Sequence, residues 1–476
     1  MGSPRPFLIA GAWRHSATRC PVTDPFTGGR VAEVCQASAQ DIAEAVEASV
    51  TAAAAMRTMP AYARAAALAG IAAQLERRRE DFAQTITAEA GKPITDARRE
   101  VGRAIQTFTL AGEEAKRLPG EVVPLDLTPG SDQMVGLTRR VPIGPVLGIT
   151  PFNFPLNLVA HKVAPCLAAG NPIVLKPAPQ TPLTALLLGE VISAVDFPPG
   201  AFSVLPCDNA SAEAMVRDER FKLVSFTGSA AVGWMLKARC GKKRITLELG
   251  GNAGVIVEPD ADVDFAATRC AVGGYAYSGQ TCISVQRILV HDEVYDRFAE
   301  TFLACVKGLV VGDPHDERTV IGPLINEDAA RRVEAWVREA VGQGARLLAG
   351  GTRRGAVVEA TVLTDVTPAM KVSCREVFGP VVTLARYQQF GAAVAALNDS
   401  DFGLQAGVFT QDVSKIFHAY RSLEVGAVLA NEIPTWRADQ MPYGGVKDSG
   451  LGREGVRYAM EDMTELKLLV LNLTQP

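Results

Sequence analysis

Val146-Leu147-Gly148-Ile149-Thr150-Pro151 and, about a helix further on, Ile173-Val174-Leu175-Lys176-Pro177 decide the fold of this chain. Each is a short apolar run closed by a proline. The segment between them, Leu156 to Ala169, reads as a helix, and Thr181 to Val195 reads as the next one. The rhythm continues through apolar runs at Phe202 to Leu205, Lys222 to Phe226 and Arg244 to Glu248. Short apolar strands alternating with helices of roughly 12 residues imply a doubly wound parallel sheet. Such sheets bind ligands at the carboxyl ends of their strands.

Upstream, Ala39 to Leu118 is Ala-rich, with apolar residues at three- and four-residue spacing interrupted by Pro60 and Gly91, and predicts a layer of several helices. From Gly120 to Arg140 the pattern shifts to Val, Leu and Thr with Pro124 and Pro129, which suggests extended strands apart from those helices. Downstream, a second strand-helix series runs from Ala253 to about Gly450. Its candidate strands lie at Val255, Ser284 to Val290, Val357 to Leu363, Val381 to Ala385, Ala406 to Phe409 and Ala427 to Ala430. The tail, Thr464 to Leu473, is an apolar strand with no hairpin partner beside it. It is expected to pair elsewhere, and association with another subunit would cover its edge.

With 476 residues, the length alone predicts about two to four domains. A composition of 48% hydrophobic and 21% charged residues is that of a globular enzyme. The net charge of -4, with basic residues dispersed, argues against a nucleic-acid partner. No apolar run reaches the roughly 18 residues of a membrane span and the N-terminus has no signal pattern, so a cytoplasmic location without membrane contact is expected. The nine cysteines are scattered, without CxxC pairs or histidines at ligand spacing, so neither a disulfide framework nor a metal site is expected.

Three segments carry candidate chemistry. Ser278-Gly279-Gln280-Thr281-Cys282-Ile283 puts a cysteine after a glycine-containing turn, although most such cysteines are merely small buried hydrophobes. Glu248 ends an apolar strand in Leu247-Glu248-Leu249-Gly250-Gly251-Asn252, where a carboxylate is expensive to bury without a task or a partner. Two glycines after it permit close backbone approach. A nucleophile and a carboxylate base at a domain seam fit covalent catalysis followed by activation of water. In Thr150-Pro151-Phe152-Asn153-Phe154-Pro155, the Asn153 amide could face a developing oxyanion or simply bond its own turn. For an anionic cofactor, Phe226-Thr227-Gly228-Ser229 with Gly233 forms a strand, turn and helix start that could meet a phosphate or be a plain cap. Lys176 could meet a ribose or phosphate oxygen, or be solvated.

Together these segments, with Glu376-Val377-Phe378-Gly379-Pro380 and Pro442-Tyr443-Gly444-Gly445-Val446-Lys447, resemble the aldehyde dehydrogenase superfamily, the non-phosphorylating oxidising kind. The resemblance spans essentially the whole chain, and Glu248 and Cys282 stand 34 positions apart, the family's habitual spacing. It implies an α/β architecture. A Rossmann-like dinucleotide-binding domain would take 1–119 and 142–250, a second α/β catalytic domain 251–455, and a β-strand oligomerisation arm 120–141 and 456–476. It further implies NAD or NADP as cofactor, a small aldehyde as substrate, and a homodimer or homotetramer.

By resemblance, Cys282 is the nucleophile, activated by its surroundings, Glu248 the general base, and Asn153 with the Cys282 N–H the oxyanion hole, with Lys162 near the catalytic carboxylate. Thr150, Pro151, Phe152, Lys176, Ala178, Pro179, Gly228, Ser229, Gly233, Leu249, Glu376 and Phe378 would contact the cofactor. The presence of Glu248 favours a free acid over an acyl-CoA or acyl-phosphate product. A binding protein that has lost activity on this fold is the rival of another class, opposed by the intact Cys282, Glu248 and Asn153.

NAD-preferring members often carry Glu three residues after the lysine, and here that position is Pro179. Without that acid a 2'-phosphate is not repelled, so NADP acceptance is expected. His161-Lys162, Ser284 to Arg287 and Asn431 to Arg437 look most like the branch of lactaldehyde and phosphonoacetaldehyde dehydrogenases, with a succinate-semialdehyde enzyme as the alternative. Phe154, Arg287 and Arg437 are the candidate substrate contacts. Arg437 could grip an anionic tail by paired hydrogen bonds or be a surface arginine.

Overall fold

A computed structural model describes residues 3–474. The strand-helix alternation builds an eight-stranded sheet. Its order from one edge is Ala12–Arg14, Phe7–Ile9, Phe202–Val204, Ile173–Lys176, Val146–Ile149, Leu223–Thr227, Arg244–Glu248 and Gly450–Leu451. The five central strands are parallel, while Phe7–Ile9 and Gly450–Leu451 run antiparallel to their neighbours. The chain leaves Val146–Ile149 toward one edge and later returns to pair Leu223–Thr227 on its other side, so a crevice opens between these two strands' carboxyl ends.

Four helices, Ala39–Thr58, Ala61–Arg77, Arg79–Ala90 and Ile94–Glu114, form the helical layer. Ser38 and Asp41 cap the first with reciprocal bonds, Pro60 starts the second, and Gly91 ends the third. Between this layer and the sheet lies Asn157–Ala169, buried at every position. A helix with no solvent face should be apolar all round. This one carries His161 and Lys162, which therefore need partners inside the protein.

A seven-stranded sheet follows, in the order Arg346–Ala349, Thr361–Thr364, Val381–Tyr387, Arg287–His291, Gly254–Val257, Gln405–Phe409, Ala427–Ala430, parallel except for the first strand. Each large sheet has its own apolar core. The expected strand Ser284 to Val290 begins only at Arg287, because Gln286 turns its side chain toward the carbonyls of Val372 and Arg375. The expected strand Val357 to Leu363 is two separate pieces, Val357–Val358 and Thr361–Thr364, which pair with different partners.

The tail strand Thr464–Asn472 pairs antiparallel with Met134–Pro142 along its whole length, and Val122–Pro124 completes a three-stranded sheet. Leu466, Leu468, Leu469 and Val470 are exposed, and the tail strand has one edge without a neighbour among the described residues. Ahead of the tail strand, Val456–Asp462 is a helix packed on Asn157–Ala169 and Ile94–Glu114. No helix among the described residues is long and apolar enough to cross a membrane. All nine cysteines are free.

Candidate active site

The turn that carries Cys282 is built under constraint. In Ala276–Gly279, Tyr277 and Ser278 both hold positive φ, at 48° and 56°, a conformation that persists only where the surroundings enforce it. Here Tyr277 Oη donates to the Ala90 carbonyl at 3.2 Å and Ser278 Oγ to that of Gly322 at 2.9 Å, while Gln280 donates to the Pro323 carbonyl and accepts from the Ile325 N–H. The strand end Arg244–Glu248 reaches the same turn through two glycines. A Cβ at Gly251 would lie 2.2 Å from the Cys282 carbonyl oxygen, and one at Gly250 2.4 Å from Glu376 Oε2. Only glycine permits both approaches.

Two cavities meet at Cys282. One, of about 270 Å³, is lined by Pro151, Phe152, Asn153, Gly228, Ser229, Glu248, Leu249, Glu376 and Phe378. The other, of about 240 Å³, is lined by Phe154, Tyr277, Thr281, Thr435, Arg437 and Tyr443, with Lys92 and Arg103 and the acids Asp96 and Glu100 in the same wall. Cys282 and Leu158 alone belong to both walls. Asn153 is buried and donates to the Gln280 carbonyl at 2.9 Å, so it serves the cysteine turn rather than its own.

Cys282 Sγ lies 3.0 Å from Tyr443 Oη. Burial pushes the Cys282 thiol up to about 12, with the Tyr443 hydrogen bond the first influence that opposes it. Glu248 is buried with Oε2 unpaired, and its pKa is raised well above the usual range by burial and then by Glu454. Glu454 Oε1 accepts from Lys162 at 3.3 Å and its Oε2 from Arg437 at 3.0 Å. Although burial opposes it, Lys162 and then Arg437 hold Glu454 ionised. Lys162 also donates to Ser225 Oγ and Thr227 Oγ1. His161 Nε2 sits 2.9 Å from Asp439, which also pairs with Arg103 at 2.7 Å.

Arg437 is no surface residue: its side chain is 5% exposed, stacks 3.6 Å from the Tyr443 ring centroid, and leaves Nε unpaired. Phe154 packs edge-on to Tyr277 in the same cavity. Arg287 lines neither cavity. It donates instead to the carbonyls of Asn252, Ala396 and Leu397, which corrects its reading as a substrate contact. The sequence reading missed Glu454, Asp439, Arg103 and also Arg332, which lines the first cavity. An acid such as Glu454 in a glycine-rich stretch was a faint indication, whereas Arg332 sits on an amphipathic helix that gives none.

The first cavity, with the neighbouring strand ends, suits a nicotinamide dinucleotide. Ser229 occupies the N-cap of Ala230–Arg239 but makes no capping bond, so it and the first N–H groups stay free for a phosphate. Thr150 bonds the Lys176 carbonyl, and Lys176 is buried, not solvated; burial lowers the pKa of its ammonium. Ala178 and Pro179 follow it in the turn after the strand, with Ala178 buried. Gly233 packs against Leu249. Glu376, half-buried and with its pKa raised to about 7 by desolvation, accepts from the Gly251 N–H at 3.0 Å, and Phe378 meets Phe152 edge-on at 5.8 Å.

Residues 13–469 match the model of the aldehyde dehydrogenase family. The chain belongs to that family and is an aldehyde-oxidising oxidoreductase. It is 43% identical over 466 residues to the 3-sulfolactaldehyde dehydrogenase of Priestia aryabhattai, covering 98% of this chain and 97% of that one. The lactaldehyde dehydrogenase of Methanococcus aeolicus is 38% identical, covering 98% and 99%. Among solved structures, aldehyde dehydrogenase 21 of Physcomitrella patens, in complex with the reaction product succinate, is 47% identical with a TM-score of 0.97 over 99% of both chains.

Proposed function

We propose that this protein oxidises a short aldehyde with a hydroxyl-bearing or anionic tail to its free acid, with NAD or NADP as hydride acceptor. The observation that carries the reading is the meeting of two cavities at one cysteine, one suited to a dinucleotide and one to a small substrate. Cys282 is the nucleophile. Its sulfur bonds to the carbonyl carbon while the π pair moves to oxygen. The Asn153 amide and the Cys282 N–H receive that oxyanion, each worth about 3 kcal/mol in sites of this kind. Ser229, Lys176, Glu376 and Phe378 hold the dinucleotide, which when bound supplies the acceptor for the hydride leaving the adduct carbon. Glu248 then takes a proton from water, whose oxygen attacks the thioester carbon and expels the sulfur.

Arg437 on the substrate side, with its Nε unpaired, supports an anionic tail. The succinate held by the Physcomitrella patens relative favours a second reading, a succinate-semialdehyde enzyme. Pro179 supports use of NADP. The exposed apolar arm supports a homo-oligomer in which another copy covers the tail strand.

The test is a panel of neutral, carboxylated, sulfonated and phosphonated aldehydes with both cofactors, in buffer free of phosphate and CoA. Reduced nicotinamide and free acid are expected with the anionic members, and neither with Cys282→Ala. Turnover that requires added CoA or phosphate, or no turnover of any aldehyde, would defeat the reading.

A further inference from the structure

We infer that Tyr443 is a further catalytic residue, whose phenol stabilises the thiolate form of the Cys282 sulfur by donating a hydrogen bond to it. The inference rests on Cys282 being the nucleophile. The two atoms lie 3.0 Å apart, and Tyr443 is 3% exposed. A thiol and a phenol can each donate to the other. Once the sulfur has lost its proton, only the phenol has a hydrogen to offer. Burial and then the adjacent sulfur raise the Tyr443 pKa well above the tyrosine range, so the phenol keeps that hydrogen.

The phenol is held in place. The Tyr443 backbone exchanges hydrogen bonds with Glu454 at 3.0 and 2.6 Å, and its ring packs with Ile283 and Leu404. The Arg437 guanidinium over the ring face draws on its π electrons, which makes the O–H a stronger donor. Arg437 is thereby a positioning residue that acts through Tyr443. The other charged groups bearing on the sulfur are Glu376 and Glu248, which oppose the thiolate, and Arg437 itself, which favours it. Against those two carboxylates and burial, the phenol is the neutral donor in direct contact.

No bond to Tyr443 forms or breaks. The thiol proton is released to solvent, the sulfur keeps its electron pair, and the phenol retains its own proton. The same donor meets the sulfur again when the thioester opens, because the departing group is the same thiolate. Phenylalanine would fill the ring's space and lack only the hydrogen.

The test is the pH dependence of Cys282 alkylation by iodoacetamide in the full-length enzyme, read on the Cys282 peptide by mass spectrometry so that the other cysteines do not enter. Tyr443→Phe is expected to raise the midpoint by about one to two pH units, with ~10- to 100-fold slower alkylation below it, as loss of a hydrogen bond to a charged group implies. Incorporation of 3-fluorotyrosine at position 443, a more acidic phenol of nearly the same shape, is expected to lower the midpoint. Midpoints unchanged in both variants would overturn the inference. Should Tyr443→Phe fail to fold, an unchanged midpoint with fluorotyrosine overturns it alone. Alkylation needs no aldehyde, so its outcome is separate from that of the substrate panel.

Discussion

Replacing Gly251 with alanine would set a methyl carbon 2.2 Å from the Cys282 carbonyl oxygen, where ordinary contact begins at 3.4 Å. More than 1 Å has to be found, and neither side yields easily. Gly251 follows a strand fixed in the eight-stranded sheet, and its N–H donates to Glu376. The cysteine turn is pinned by Tyr277, Ser278 and Gln280. Displacing a reacting group by about 1 Å costs on the order of 100-fold in rate, or about 2.7 kcal/mol of barrier. Gly250→Ala is the internal control, because its methyl would meet Glu376 Oε2 at 2.4 Å, the far end of a side chain that can swing aside. Gly251→Ala should lose kcat by about 100-fold, whereas Gly250→Ala should mainly raise the cofactor KM. Steady-state kinetics in both substrates, with thermal unfolding to confirm folding, reads the contrast. A Gly251→Ala enzyme within about threefold of the wild-type kcat would refute the reasoning.

Glu248→Gln should still release a burst of reduced cofactor but turn over about 100- to 10,000-fold more slowly, since the general base acts after hydride transfer. Because burial and Glu454 raise the Glu248 pKa, and the base works only unprotonated, the wild-type rate should fall as pH drops while still above the ordinary carboxylate range. That limb should vanish in the variant, and its persistence would point to another group. Arg437→Gln should raise KM for anionic aldehydes about 10- to 100-fold more than for neutral ones, and equal changes would remove the anion-binding role. Asp439 has its pKa held low by His161 and Arg103 against the cost of burial. A depressed carboxylate stabilises the fold above its unfolded pKa, and that stability is lost as pH falls through the folded value. Asp439→Asn should therefore cost about 3 kcal/mol near pH 7, with the gap to wild type closing in acid, as urea unfolding at several pH values would show.

The central parallel strands were legible because strands buried on both faces are continuous apolar runs, as at Val146 to Ile149 and Ile173 to Lys176. Strands of two or three residues, such as Phe7–Ile9 and Gly450–Leu451, have no period to read, and only the sheet they join defines them. The break before Arg287 escaped notice because Gln286 is held by carbonyls almost ninety residues away. At the site, Cys282, Glu248 and Asn153 stood out as chemical groups at element ends. Arg437 was legible as a candidate, but its burial between Glu454 and Tyr443 was not, since that depends on the stretch from 437 to 454 folding back on itself. Arg287 misled for the same reason: nothing local says that its guanidinium faces the carbonyls of Ala396 and Leu397.

The two chambers share little besides Cys282 and Leu158. Substitutions around Phe154, Tyr277, Thr435 or Arg437 can reshape what the enzyme accepts while leaving Ser229, Leu249 and Phe378 untouched. A lineage built on this plan is free to exchange one fuel for another without relearning how to hold its electron carrier.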